Sequence, residues 1–117
     1  MKVPNAENAI VPERKCTAYL LDLTHTRGGP KAHYFIGHGY TLAGWLRLAD
    51  DLRAHVGMHK VSGMRRTQGG TNFEVTGALT MPDGATAVTV SVWYIADGGT
   101  LPRLVTARPA KERRLTP

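Results

Sequence analysis

The stretch Thr86-Ala87-Val88-Thr89-Val90-Ser91-Val92-Trp93-Tyr94-Ile95-Ala96 decides the fold. Val88, Val90, Val92 and Tyr94 recur at period two and share one face; Thr89, Ser91, Trp93 and Ile95 share the other. β-Branched and aromatic residues dominate, which suits a pleated, half-buried surface. Turn signals bound it, Met81-Pro82-Asp83-Gly84 before and Ala96-Asp97-Gly98-Gly99 after, with another at Gln68-Gly69-Gly70. Four strands are predicted, over 58–67, 71–80, 86–96 and 101–108. Connections this short join antiparallel neighbours, because a parallel crossover needs a dozen residues or more.

The first half of the chain has a helical period. Pro12 suits a first helical position, where its missing N–H costs nothing, and Glu13 follows in an acidic first turn. Cys16, Tyr19, Leu20 and Leu23 then fall at i, i+3, i+4 and i+7, one apolar face. Asp22–Pro30 reads as a loop, and Pro30 opens a second helix that Gly37 or Gly39 ends. Thr41 is the expected N-cap of a third helix over Leu42–Val56, with Leu42, Trp45, Leu46, Ala49, Leu52, Arg53 and Val56 on its inner side. A meander must cover one apolar face, and helices are the only material for it. The expected architecture is α+β: two or three N-terminal helices packed on one face of a four-stranded antiparallel β-meander, the other face half polar and open.

Length and composition agree with one such domain. The chain has 117 residues, 42% hydrophobic and 21% charged, enough to bury a core without staples. A single cysteine, Cys16, excludes an internal disulfide framework. No apolar run approaches the roughly 20 residues of a membrane span, and the N-terminus lacks a signal-like apolar region. The expected protein is cytoplasmic, with no membrane partner. The net charge is +6, but residues 103–117 hold five basic residues against one acidic, so that end carries +4 of it. The expected organisation is a single domain over residues 1–109 and a basic, disordered tail over 110–117. Bulk charge is therefore a weak pointer to a polyanion; local geometry must supply one.

The loop Thr24-His25-Thr26-Arg27-Gly28-Gly29-Pro30-Lys31 sets an imidazole, a guanidinium and an ammonium beside two glycines and a helix start. A helix start offers unpaired N–H groups to an anion. Histidine titrates near neutrality. Such a set suits phosphate-ester chemistry, with His25 as base or acid and Arg27 or Lys31 stabilising charge. The bland reading is a polar loop with a Gly-Gly bend. The last strand adds Thr106 and Arg108 on one face and Arg103 on the other, or else is only an edge guarded by charge and Pro102. Trp93 either stacks on a base from the open face or sits in the core. Neither His33/His38 nor His55/His59 completes a metal motif, and no metal or cofactor is expected.

Several motifs together resemble an uncharacterised small bacterial domain family. They are Val3-to-Leu21 (VPNAENAIVPERKCTAYLL), His25-to-Lys31 (HTRGGPK), Phe35, Gly39, Trp45, Leu48 and Leu52. Further along come Gly77-x-Leu79-x-x-Pro82-Asp83-Gly84, Val88-x-Val90-x-Val92-Trp93 and Pro102-Arg103-Leu104-Val105-Thr106-Ala107. That family occurs free-standing and at the C-termini of polymorphic-toxin-like and phage head-morphogenesis-like proteins. Its layout is similar to the barnase–EndoU–colicin–RelE class of ribonuclease toxins, which use the RNA 2′-hydroxyl as nucleophile and need no metal. The resemblance implies a toxin-like endoribonuclease with His25, Lys31, Arg103 and Thr106 in catalysis and Arg27, Trp93 and Arg108 in RNA binding. It also implies a cognate antitoxin or immunity protein as partner. Arg108 stands where that family tends to carry a tyrosine. The alternative is a non-catalytic interaction domain of toxin- or phage-associated systems.

Overall fold

Strand β3 covers Thr86–Ala96, flanked by β2 (Gly70–Thr80) and β4 (Arg103–Pro109), with β1 (Val61–Thr67) beyond β2. All neighbours pair antiparallel, in the order β1-β2-β3-β4, so the sheet is a meander. These coordinates are a computed structural model that describes residues 1–110; the stretch 111–117, nearly all of the expected tail, lies outside the described residues. Three helices precede the sheet, giving an α+β fold: α1 (Glu13–Lys15, continued by a π-helical turn over Cys16–Leu20), α2 (Gly29–Gly37) and α3 (Trp45–Met58).

The helices cover the face of β3 that carries Thr89, Ser91 and Trp93. Phe73, Val75, Leu79, Trp93, Leu104 and Ala107 of the sheet meet Cys16, Leu20, Phe35, Leu48, Leu52 and Val56 of the helices. Trp93 is fully buried, which overturns its expected place on an open, base-stacking face. Its indole N–H explains the choice of face. It donates to Ser91 Oγ (2.8 Å), Ser91 Oγ is 2.8 Å from His55 Nδ1, and His55 Nε2 is 3.0 Å from the Gly77 carbonyl. With Nε2–H given to the carbonyl, Nδ1 accepts from Ser91. The buried polar groups thereby form one directed chain with every proton placed.

Two helices differ from their predicted bounds for physical reasons. In the first, the π turn is closed by Leu21 N–H donating to the Cys16 carbonyl (2.8 Å). The wider turn puts Leu21 in the core, and Leu23 stays 48% exposed. In the third, Thr41 Oγ1 accepts from Gly44 N–H (2.9 Å), a turn ahead of the helix, so α3 starts at Trp45 and runs on to Met58. Its inner face is Leu48, Ala49, Leu52, His55 and Val56, and Leu42 and Leu46 remain exposed. The His55 hydrogen bonds turn a polar residue inward, and hydrophobic period alone could not indicate that.

Two features hold the sheet's last strand and the loops. Ile10 forms a parallel bridge with Arg103: Ile10 N–H donates to the Pro102 carbonyl (2.8 Å) and Leu104 N–H to the Ile10 carbonyl (2.9 Å). The N-terminal segment thus borders part of β4. At the other end, Gly39 takes φ +102°, which favours glycine, and turns the chain after α2. There His38 Nδ1 lies 2.9 Å from Asp83 Oδ2, and Asp83 N–H donates to the His38 carbonyl (3.1 Å), pinning α2 to the β2–β3 turn.

Candidate functional site

A cleft of about 590 Å³ opens between α1, the loop that follows it and β4, lined by Arg14, Lys15, Ala18, Tyr19, His25, Arg27, Val105 and Thr106. Each element brings its residues there for a local reason. The π turn places Tyr19 so that its hydroxyl lies 2.9 Å from Thr106 Oγ1. Thr106 reaches it from a bulged stretch of β4: Trp93 pairs with Leu104 but Val92 with Thr106, so Val105 is one extra residue. The bulge breaks the strict alternation that put Arg103 and Thr106 on opposite faces.

The loop is built by side-chain caps. Asp22 Oδ1 accepts from Thr24 N–H (2.9 Å) and Thr24 Oγ–H (2.6 Å), which holds the Asp22 carboxyl below its ordinary value. His25 Nδ1 then accepts from Arg27 N–H (3.0 Å) and Gly28 N–H (2.8 Å). With two backbone donors on Nδ1, the neutral ring carries its proton at Nε2. The imidazole packs edge-on against the Tyr19 ring, centroids 5.0 Å apart. Gly28 permits this approach. A Cβ there would sit 2.6 Å from both Tyr19 Cδ1 and the Tyr19 carbonyl oxygen.

Tyr19 is the hub. Lys15 Nζ lies 5.4 Å and Lys31 Nζ 5.5 Å from its ring centroid, within cation–π range. Burial pushes the Tyr19 phenol up. The Thr106 hydroxyl bond, polar contact with Lys31 and the positive charges of Lys31 and Lys15 outweigh that and hold it below the ordinary phenol value. Among the described residues the lining contains no carboxylate and no ion pair engages Arg14, Lys15, Arg27 or Lys31. Gathering like charges without a counter-charge costs free energy, and an anion in the cleft would relieve it.

Four of the residues singled out from sequence meet here: His25, Arg27 and Thr106 in the lining and Lys31 beside Tyr19. Three do not. Arg103 is exposed at the start of β4, opposite Tyr94, and is absent from the lining. Arg108 lies 3.6 Å from Glu74, across β3 on the sheet face away from the helices. Trp93 is in the core. Sequence reasoning missed Arg14, Lys15 and above all Tyr19, which it assigned to an apolar helix face. The adjacent Arg14-Lys15 pair was the available signal. His38, His55 and His59 are held in structural contacts: His59 Nε2, for one, is 2.9 Å from the Ala78 carbonyl, and its ring lies where a Cβ of Gly77 would be.

The chain belongs to a family described as a domain of unknown function (DUF6883), which matches residues 2–111. No curated protein matches it. Among solved structures, a contact-dependent growth inhibition toxin–immunity protein complex from Klebsiella pneumoniae 342 contains a chain of similar fold. The two are 17% identical with a TM-score of 0.66, over 87% of this chain and 100% of that one. At that identity the likeness is one of fold. No helix of the described residues is long and apolar enough to cross a membrane.

Proposed function

We propose that this domain is a toxin-type endoribonuclease that cleaves RNA by attack of the 2′-hydroxyl on the adjacent phosphodiester, without a metal. The observation that carries the reading is the cleft itself: Arg14, Lys15, Arg27 and an imidazole converge on one space with no acid among them. A phosphodiester supplies the missing negative charge, and its charge grows in the transition state, where fixed cations act most strongly. Lys31, beside Tyr19, completes the set. His25, with Nδ1 committed to backbone donors, presents Nε2–H as a hydrogen-bond donor to a phosphate oxygen. Thr106 holds the Tyr19 hydroxyl and borders the phosphate position. Arg27 anchors a neighbouring phosphate. Arg103 and Arg108, outside the lining, could meet RNA only along its flanks.

Residues 14–31 and 105–106 come from the two ends of the chain, so the cleft exists only in the folded domain. A free ribonuclease would damage its own cell's cytoplasm, and a cognate immunity protein follows as partner. The fold shared with a chain of a toxin–immunity protein complex supports that partner class.

The test is cleavage of RNA by the purified protein in the presence of a chelator, together with induced expression in bacteria read by an RNA-integrity gel. Fragments ending in a 2′,3′-cyclic phosphate are expected from the wild type, and strongly reduced cleavage from Lys31→Ala and His25→Ala. Intact RNA and normal growth with a folded wild-type protein would overturn the ribonuclease reading and leave a non-catalytic interaction domain.

A further inference from the structure

The cleft needs a group that can take a proton from the attacking hydroxyl, and the obvious candidate is unsuited. His25 has Nδ1 occupied by the N–H groups of Arg27 and Gly28, and Nε2 carries the ring proton. Among the described residues no carboxylate lines the cleft. Among the described residues the acidic oxygen that lines it is the phenol of Tyr19.

Its surroundings are built for negative charge. The Thr106 hydroxyl lies 2.9 Å from it, and two ammonium groups, Lys15 and Lys31, flank its ring at 5.4 and 5.5 Å. Tyr40 is the contrast. Burial first, and then the Asp51 carboxylate to which its hydroxyl donates at 2.7 Å, hold the phenolic proton in place and push that phenol up. One phenol is placed to keep its proton, the other to lose it, and the shift of Tyr19 below the ordinary value agrees.

We propose that Tyr19 is the general base of the cleft, its phenolate accepting the proton of the RNA 2′-hydroxyl, a role that rests on the ribonuclease reading above. The phenolate oxygen takes that proton. The 2′-oxygen electron pair forms the O2′–P bond, and the P–O5′ bond breaks with its pair on O5′. The leaving O5′ takes a proton from water in the open cleft. Products are a 2′,3′-cyclic phosphate and a 5′-hydroxyl. The Tyr19 phenol then returns its proton to solvent, which restores the starting state with no oxidant, reductant or metal. Thr106 is a positioning residue that acts through Tyr19.

The test is Tyr19→Phe, which keeps the ring against His25 and removes only the hydroxyl. Cleavage is expected to fall about 10²–10⁴-fold, the usual worth of a general base. The wild-type rate should rise about tenfold per pH unit below the phenol's titration, and Tyr19→Phe should lose that rise. Ultraviolet difference titration of wild type against Tyr19→Phe should place Tyr19 below the ordinary phenol value of about 10. Thr106→Val, which retains the phenol, should move that titration and the inflection of the rate profile upward together. Wild-type-like cleavage or an unchanged pH profile in Tyr19→Phe overturns the base assignment alone. So does a Tyr19 titration at or above the ordinary value. Absence of cleavage by the folded wild type removes the ribonuclease reading, and this inference with it.

Discussion

The hydroxyl of Tyr19 and the hydroxyl of Thr106 meet at 2.9 Å across 87 positions of sequence. That bond joins the first helical segment to the last strand and sits in the middle of the cationic cleft. A double-mutant cycle of Tyr19→Phe and Thr106→Ala, followed by chemical denaturation, should give a coupling of about 0.5–1.5 kcal/mol. Fully additive losses would mean the two hydroxyls do not bond in solution.

Gly28 tests whether the loop is held against Tyr19. Its φ of −85° suits any residue, so the nearest obstacle to a side chain there is contact with Tyr19. Gly28→Ala should cost about 1–3 kcal/mol as overpacking does and should displace His25 from the ring. Gly37→Ala is the control, because a Cβ there meets nothing within 4 Å. Equal melting temperatures for the two variants would refute the close approach.

Acid should unfold the protein partly through His55. Burial first, and the nearby His59 in addition, lower the His55 value against the pull of the Gly77 and Thr89 backbone oxygens. The unfolded chain, with an ordinary histidine near 6.5, then binds the proton more readily than the folded one. The stability this contributes is present above pH 6.5 and is lost as pH falls through the folded value. Melting temperature should therefore drop between pH 7.5 and 5, and the drop should be shallower in His55→Gln. An unchanged slope in that variant would assign the acid sensitivity elsewhere.

On the proposed ribonuclease reading, salt should weaken RNA binding by a countable amount. If three to four cleft cations each neutralise one phosphate, the log–log slope on single-stranded RNA is about −2 to −3. Lys15→Ala or Arg27→Ala should reduce its magnitude by about 0.7, and Arg103→Ala should leave it unchanged. A loss on Arg103→Ala equal to the other two would move the binding path toward the outer edge of β4.

Cys16 should be inert. It is buried on the helix face, and burial, only partly offset by the charge of Arg53, pushes its thiol up to about 11. A thiol reagent at pH 8 should label the unfolded chain quickly and the native protein only at its unfolding or local-opening rate. Rapid stoichiometric labelling of the native protein would contradict that packing.

The sheet was legible because period two survives in residues that also favour strands. β3 begins and ends where the alternation does, and its neighbours shift by only a few residues. Helical period was less reliable. The π turn swapped Leu23 for Leu21, and His55, apolar by no scale, turned inward because Ser91 and Gly77 satisfy both its nitrogens. That the loop gathers His25, Arg27 and Lys31 near one another was readable from its sequence alone. Tyr19 was not, since at i+3 from Cys16 a tyrosine and a core residue look alike. Only the arrival of Thr106 from the far end of the chain distinguishes them. Arg103 and Trp93 failed for the reverse reason: how far along β4 the cleft reaches, and which face of β3 is covered, are set by partners that a single strand does not reveal.

The cleft draws on residues 14–31 and on Val105 and Thr106 in the last strand. Synthesis proceeds from the N-terminus, so every cation of the site leaves the ribosome long before the strand that closes it. The cleft is therefore unfinished until the strand that carries Val105 and Thr106 has been made and has paired with β3. The order of elements acts as a delay: the cleft is complete only with the final antiparallel pairing.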